Sequence, residues 1–217
     1  MIPVNNIYPC IQGEGCNTGI PMVMLRLQGC EVGCPFCDTK ETWEKSSIFQ
    51  MPTIQEALSQ SPKWTMQDEQ NIMLYLQEQY PNFTWILVSG GEPAQYDLST
   101  LVGLLHDYGH KVAIETSGTE EVMGNFDWVC VSPKIDMPGK KVIKQQAILR
   151  ADEIKMVIGK PGDFEKLDTL LRDFKPDCQI CLQPMSRSAK ATQLCIEECQ
   201  KRGYRLSIQT HKYLGVE

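Results

Sequence analysis

The amino-acid sequence predicts an α/β fold with a parallel sheet, and three observations support this prediction. First, seven short apolar segments have the composition of strands: 22–27, 85–89, 111–115, 128–132, 153–158, 178–182 and 205–209. Second, helical periodicity occurs between several of them, at residues 98–105, 164–171 and 191–198. Strands that alternate with helices in this way are typical of βα units, whose strands run parallel.

The third observation is that nearly every predicted strand ends in a polar or glycine-rich string. QGC, SGGEP, ETSG and SPK follow the first four strands, and QPMS and QTH follow later ones. Ligands of parallel α/β proteins bind at the carboxyl ends of the strands. Ordinary turns explain two or three of these strings but not all of them. We therefore predict a binding site at this edge of the sheet.

The elements between the strands are predicted as follows. Asp97 and Asp163 directly precede helical stretches and are expected to be N-caps. Residues 46–81 are richer in Gln, Ser and Met, which predicts an inserted helical pair or a lid. No internal repeat or linker is visible, so the sequence predicts a single domain over 1–217.

The composition excludes some classes of function. With 21 Lys and Arg against 27 Asp and Glu, the net charge of −6 disfavours nonspecific binding to nucleic acid. The first ten residues have no charged n-region of a signal peptide. No apolar run approaches the ~18 residues of a membrane span. These observations predict a cytoplasmic protein without a membrane partner.

Three of the ten cysteines form a compact motif, C-x3-C-x2-C, at Cys30, Cys34 and Cys37. The motif supplies three thiolates and no local fourth ligand, which suits a 4Fe-4S cluster with one open iron. A zinc site that borrows a distant ligand such as His211 is the alternative. The remaining cysteines are expected to be small buried hydrophobes rather than an auxiliary metal site: Cys10, Cys16, Cys130, Cys178, Cys181, Cys195 and Cys199.

CEVGCPFC and GGEP resemble the two signatures of the radical S-adenosylmethionine superfamily. QGEG, RLQGC, CDTKETW, ETSGT, SPK and SIQTHKYL narrow the resemblance, over essentially the full length, to the 7-carboxy-7-deazaguanine synthase family. The resemblance implies a partial parallel (β/α) barrel of radical S-adenosylmethionine type, with about six core strands and a reduced set of helices.

The resemblance also assigns cofactor-binding roles. The three motif cysteines would ligate a 4Fe-4S cluster whose fourth iron is chelated by S-adenosylmethionine, and Thr39 would ligate Mg2+. The cofactor would contact Phe36, Asp38, Gly91, Glu92, Ser117, Ser132, Pro133 and Lys134. Without the resemblance, Asp38 and Thr39 would be interpreted as an N-cap. No side chain is expected to be catalytic, because the 5′-deoxyadenosyl radical performs the chemistry.

Substrate recognition is predicted partly from the residues themselves. Arg26 lies within an apolar strand, where an unpaired guanidinium is costly, so we expect it to bind the carboxylate of a substrate. Glu14 could accept two N–H bonds from a pterin edge. With the resemblance, the substrate-binding set is Ile11, Gln12, Gly13, Glu14, Arg26, Ser89, Gln209 and His211.

The implied reaction converts 6-carboxy-5,6,7,8-tetrahydropterin to 7-carboxy-7-deazaguanine with loss of ammonia, a carbon–nitrogen lyase step of queuosine biosynthesis. The implied partners are this small-molecule substrate, a flavodoxin-type electron donor and a second copy of the chain in a homodimer. Two alternatives are a glycyl-radical-activating enzyme that acts on a protein and a zinc-binding module. QGEG, Arg26 and CDT favour the small pterin.

Overall fold

A computed structural model describes residues 1–60 and 62–215 of the chain, in which ten strands form one sheet. The strands are β1 (Ile2–Ile11), β2 (Pro21–Leu27), β3 (Gln50–Met51), β4 (Trp64–Gln67), β5 (Trp85–Gly90), β6 (Lys111–Thr116), β7 (Trp128–Val131), β8 (Glu153–Ile158), β9 (Gln179–Pro184) and β10 (Arg205–Leu206). The helices are α1 (Ile54–Leu58), α2 (Glu69–Gln79), α3 (Ser99–Asp107), α4 (Gln145–Arg150), α5 (Gly162–Phe174), α6 (Ala189–Arg202) and α7 (Thr210–Leu214).

The strands lie in the order β10-β9-β8-β7-β6-β5-β2-β1-β4-β3. The seven strands that lie side by side from β2 through β5, β6, β7, β8 and β9 to β10 are all parallel to their neighbours. The prediction of an α/β fold with about six core parallel strands is confirmed, since β2 and β5 to β9 are the longer members of this parallel series. Their carboxyl ends lie along one edge of the sheet.

Three strands were not predicted. β1 pairs antiparallel with β2 and with β4, and β3 pairs parallel with β4. Two prolines and two asparagines in β1 obscure its strand character. The segment 46–81 contains α1 and α2, and it also supplies β3 and β4 to the sheet.

Three details of the predicted elements are wrong. The strand expected at 205–209 ends at Leu206, and the next residues form a loop. Asp163 is not an N-cap, because α5 begins one residue earlier, and its carboxylate accepts hydrogen bonds from the N–H groups of Gly159 and Lys160. The N-cap of α3 is Leu98, although Asp97 does accept a hydrogen bond from the N–H of Ser99.

The helices cover the sheet with the apolar faces that their periodicity predicts. In α5 the buried side chains are Phe164, Leu167 and Leu170, spaced three residues apart. Full burial of such side chains contributes about 1.5–3 kcal/mol each. The β strands are thereby fixed, and they present their carboxyl ends at a defined edge.

Candidate active site

A cavity of about 730 Å3 lies at the carboxyl edge of the parallel strands. Successive strands contribute to its wall: β5 through Ser89, β6 through Thr116, β8 through Lys155 and β9 through Gln183. The loops after β1 and β2 supply further lining residues. The cavity therefore lies where the strand endings predict a binding site.

The three motif cysteines lie on the loop after β2, and all of them line the cavity. Residues 1–60 and 62–215 contain one group of three metal-ligating side chains whose ligand atoms all lie within 4.8 Å of one another. This group consists of Cys16, Glu153 and Cys181 and includes none of the motif cysteines. A single zinc ion would hold its thiolates about 3.8 Å apart. The three motif thiols do not form a group this compact within the described residues.

Cys37 is surrounded by hydrogen-bond donors. The indole N–H of Trp43 and the backbone N–H of Thr39 both donate to its Sγ atom, each at 3.4 Å. Burial raises the pKa of the Cys34 thiol to about 11, against the opposing effect of Lys134. Binding of a metal cluster must therefore displace protons from thiols that are neutral in its absence.

Thr39 precedes a short 3-10 turn but does not cap it through its side chain. Its hydroxyl lies 3.7 Å from Cys37 Sγ and lines the cavity. The alternative interpretation as an N-cap is therefore wrong for Thr39. The hydroxyl is available to a ligand in the cavity. A neutral hydroxyl is a weak anchor for Mg2+, which prefers carboxylates, phosphates and waters.

The GGEP loop after β5 packs directly on the backbone of the cysteine loop. A Cβ atom at Gly91 would lie 2.1 Å from the carbonyl oxygen of Gly29, so a side chain cannot be placed there. The N–H of Glu92 donates to the same carbonyl oxygen at 2.8 Å. Gly90 has φ of +144°, which L-residues with side chains rarely adopt. The two glycines thus let this loop reach the cavity beside the cysteines.

Glu92 is 3 % exposed and joins the ends of two strands. One carboxylate oxygen accepts hydrogen bonds from the Ala94 N–H and the Thr116 hydroxyl, and the other accepts from the Ser117 N–H at 2.8 Å. Three hydrogen bonds hold the carboxylate against the cavity. Since a carboxylate has about four acceptor positions, capacity for a ligand remains.

Ser132 and Lys134 follow β7 and line the same cavity. The ammonium group of Lys134 donates to the Ser132 hydroxyl and carbonyl oxygens. Burial lowers the pKa of Lys134. The SPK string is therefore not a turn with a solvated lysine.

A buried cation lines the same cavity and lies between two carboxylates. Lys155, whose side chain is 3 % exposed, donates to Glu14 at 2.7 Å and to Glu115 at 3.0 Å. Burial favours the uncharged form of Glu14, but the ammonium of Lys155 outweighs this effect and lowers the pKa of Glu14 to about 2. The carboxylates likewise raise the pKa of Lys155, against the effect of its burial. Glu14 and Lys155 are therefore both charged near neutral pH.

The C-terminal segment closes this side of the cavity. The Gln209 amide donates to Glu14 at 2.7 Å, and the N–H of Thr210 donates to the carbonyl oxygen of Gly13 at 2.9 Å. The His211 ring lies over Gly13, where a Cβ would lie 2.1 Å from Nδ1. Gln209 and His211 are thus cavity residues, as predicted from their sequence motif.

Two predicted site residues have partners within the chain. The guanidinium of Arg26 donates to the hydroxyl of Tyr8 and stacks over its ring at 5.7 Å. Asp38 is paired with Lys212 at 2.6 Å. Arg26 is therefore not unpartnered, yet a single phenol oxygen leaves most of its five N–H donors available.

The cavity is lined by all the predicted site residues except Pro133, which is buried beneath them. Sequence reasoning missed Tyr8, Trp43, Glu115 and Lys155. The signal for Glu115 and Lys155 was present, because each is a charged residue within a mostly apolar strand. The same argument had identified Arg26.

Comparison with known proteins agrees with this site. A sequence profile described as a 4Fe-4S single cluster domain matches residues 11–123. The chain is 44% identical to 7-carboxy-7-deazaguanine synthase from Escherichia coli (strain K12), over 99% of this chain and 98% of that protein. The proteins of the same name from Buchnera aphidicola subsp. Schizaphis graminum and from Synechocystis sp. are 37% and 33% identical. Each of these two alignments covers 99% of this chain.

The fold also matches a solved structure. The crystal structure of QueE from Escherichia coli superposes with a TM-score of 0.91 at 41% identity, covering 96% of this chain and 93% of that chain. The similarity thus extends over nearly the whole chain.

Proposed function

Because the chain belongs to the 7-carboxy-7-deazaguanine synthase family of radical S-adenosylmethionine enzymes, we propose that its cavity converts 6-carboxy-5,6,7,8-tetrahydropterin to 7-carboxy-7-deazaguanine with loss of ammonia. The observation that carries this proposal is one cavity lined both by three thiols and by a pair of carboxylates that a buried lysine holds. The thiols suit an iron–sulfur cluster, and the charged groups suit a polar heterocycle.

On the cofactor side, Cys30, Cys34 and Cys37 hold the 4Fe-4S cluster, and bound S-adenosylmethionine supplies the 5′-deoxyadenosyl radical that abstracts hydrogen. The chain contributes positioning. Gly91 lets the GGEP loop lie against the cysteine loop, where the methionine moiety would bind, because a Cβ there would meet the carbonyl oxygen of Gly29 at 2.1 Å. We assign the remaining contacts with the cofactor to Phe36, Asp38, Glu92, Ser117, Ser132 and Lys134, whereas Pro133 does not reach the cavity.

On the substrate side, Glu14 accepts N–H bonds from the pterin, since Lys155 keeps this carboxylate ionised. Arg26 uses its free N–H donors to bind the substrate carboxylate. The remaining contacts come from Ile11, Gln12, Gly13, Ser89, Gln209 and His211. Thr39 ligates Mg2+, whose other ligands come from substrate and water, so the ion binds well only when substrate is present.

The proposal is tested by anaerobic turnover of 6-carboxy-5,6,7,8-tetrahydropterin with a reductant, followed by the ultraviolet absorbance of the deazapurine product. Cys34→Ala should lose the brown cluster and all turnover. Cys178→Ala, a cysteine outside the cavity, should retain both. An enzyme that ignores the pterin but radicalises a partner protein would instead be a glycyl-radical-activating enzyme.

We further propose a flavodoxin-type electron donor, a homodimer and a cytoplasmic location. In the described part of the chain, no helix is both long and apolar enough to cross a membrane. Exposed Lys40 lies over the ring of Trp43, which donates to Cys37. A cation beside the cluster loop suits an acidic donor. Reduction by purified flavodoxin and sedimentation of the full chain test the first two of these proposals.

A further inference from the structure

A second group of metal-ligating side chains lies outside the cysteine motif. Cys16, Glu153 and Cys181 have ligand atoms that all lie within 4.8 Å of one another. The residues come from the loop after β1, from the start of β8 and from the middle of β9. Cys16 and Cys181 were expected to be simple buried hydrophobes, but their Sγ atoms approach to 3.6 Å.

Glu153 has an unusual environment for a carboxylate. It is 2 % exposed, and its Oε1 atom has no hydrogen-bond partner among the described residues. Its Oε2 atom accepts the N–H of Cys16 at 3.0 Å. A buried, unpaired carboxylate oxygen is costly. The thiols of Cys16 and Cys181 lie within hydrogen-bonding reach of this carboxylate, and among the described residues no salt bridge joins it to a cation.

Lys155, two residues along the same strand, does not supply this cation, because it pairs with Glu14 and Glu115. The two neighbouring thiols are soft ligands, and with Glu153 they form a donor set of two sulfurs and one oxygen. Tetrahedral zinc with Zn–S bonds of about 2.3 Å places two sulfurs about 3.8 Å apart. The observed separation of 3.6 Å is close to this value.

We propose that Cys16, Glu153 and Cys181 form a second metal site, which binds one thiophilic divalent cation such as Zn2+. Three protein ligands leave the fourth position to water. The two thiols release their protons on binding, so two thiolates and one carboxylate surround the dication. Burial and the Glu153 carboxylate raise the pKa of Cys181 in the absence of a metal, so metal uptake becomes stronger as the pH rises.

The site connects to the cavity through the chain. Cys16 is two residues from Glu14, and the intervening Gly15 donates its N–H to the Ser207 hydroxyl at 2.8 Å. A cation would therefore fasten the loop that carries Glu14 to β8 and β9. Its role is to position this loop, because none of its three ligands lines the main cavity.

The test uses the full-length protein with its cluster reconstituted anaerobically. The protein is incubated with Zn2+, desalted and analysed for iron and zinc on the same sample. We expect about four irons and about one zinc per chain. Cys181→Ser and Glu153→Gln should each reduce the retained zinc at least tenfold while the iron content is unchanged. Cys178→Ser is the matched control and should retain both metals.

Zinc bound at an incompletely filled cluster site is distinguished by a variant with all three motif cysteines replaced by alanine. It should still bind one zinc, and with Co2+ it should show a thiolate-to-cobalt absorption band that Cys181→Ser removes. Equal zinc content in the wild type and in folded Glu153→Gln would overturn the proposal. So would a Cys16–Cys181 disulfide in protein purified anaerobically, since a disulfide offers no thiolate.

Discussion

Substitution of Lys155 by methionine tests whether the buried cation organises the substrate side of the cavity. Methionine keeps much of the length and apolar volume of the lysine stem but removes its charge. Glu14 and Glu115 would then lose the ammonium group that lies between them, 2.7 Å from Glu14 and 3.0 Å from Glu115. The lysine side chain is 3 % exposed, and those of Glu14 and Glu115 are 16 % and 24 % exposed, so the pairs are largely buried.

Two independent estimates give the size of the effect. Breaking a buried ion pair by removal of one partner costs about 3–5 kcal/mol. The fall in the pKa of Glu14 from 4.5 to about 2 corresponds to about 3 kcal/mol, at about 1.4 kcal/mol per unit. We therefore expect Lys155→Met to lower the free energy of unfolding by about 3 kcal/mol near neutral pH.

The pH dependence has a definite sign. The pKa of Glu14 is lower in the folded state than in the unfolded state. The ionised carboxylate therefore contributes its full share of the free energy of unfolding above pH 4.5, and this contribution is lost as the pH falls toward 2. The stability difference between wild type and Lys155→Met should therefore narrow over this range. A difference that widens on acidification would contradict the assignment.

Urea unfolding of the two proteins, followed by circular dichroism, measures this effect. The matched control is Lys166→Met, which removes a surface lysine paired with Asp136. That pair is solvent-exposed, so its loss should cost less than about 1 kcal/mol. If Lys155→Met also cost less than this, with unchanged KM for the pterin, the buried ion-pair cluster would have no organising role.

Three further predictions concern single contacts in the cavity. Arg26→Ala should raise the KM for the pterin by about tenfold, or about 1.4 kcal/mol. Uncoupled cleavage of S-adenosylmethionine by this variant should stay measurable by chromatography. Loss of the cluster in the variant would instead indicate a structural role for Arg26. Gly91→Ala should abolish S-adenosylmethionine binding in equilibrium dialysis, because the added Cβ would meet a backbone oxygen at 2.1 Å. Gly103→Ala is the control, because the space around Gly103 is open. This variant should bind S-adenosylmethionine normally and gain about 0.5–1 kcal/mol of stability. Trp43→Phe removes an N–H bond to Cys37 Sγ and should lower the cluster potential in an EPR-monitored redox titration; an unchanged potential would show that the bond does not tune the cluster.

The sequence predicts the parallel sheet and the position of the site well, because both depend on local patterns. Apolar segments mark β2 and β5 to β9, and the strings at their ends mark the cavity edge. The motif cysteines and GGEP are short motifs that each directly follow a predicted strand. Their meeting at the edge of the cavity could therefore be expected from the sequence.

Features that depend on distant contacts could not be predicted in this way. β1 is held by antiparallel pairing to β2 and β4, and its own residues give a weak strand signal. The Glu14–Lys155–Glu115 arrangement joins three strands or loops, and no spacing in the sequence reveals the pairing. Cys16 and Cys181 are 165 residues apart, which hides their proximity from any local motif.

The hydrogen bond from Gln209 to Glu14 joins residues 195 positions apart, and it has a consequence for biosynthesis. A chain growing on the ribosome exposes its cysteine loop and its GGEP loop long before α7 is made, and N-terminal parts fold first. The cluster ligands are therefore present in the nascent chain before Gln209 and His211, which line the same cavity. A premature stop ahead of α7 would release a protein with cluster ligands but an open cavity. Cluster ligation and enclosure of the substrate thus depend on parts of the chain that are made at different times.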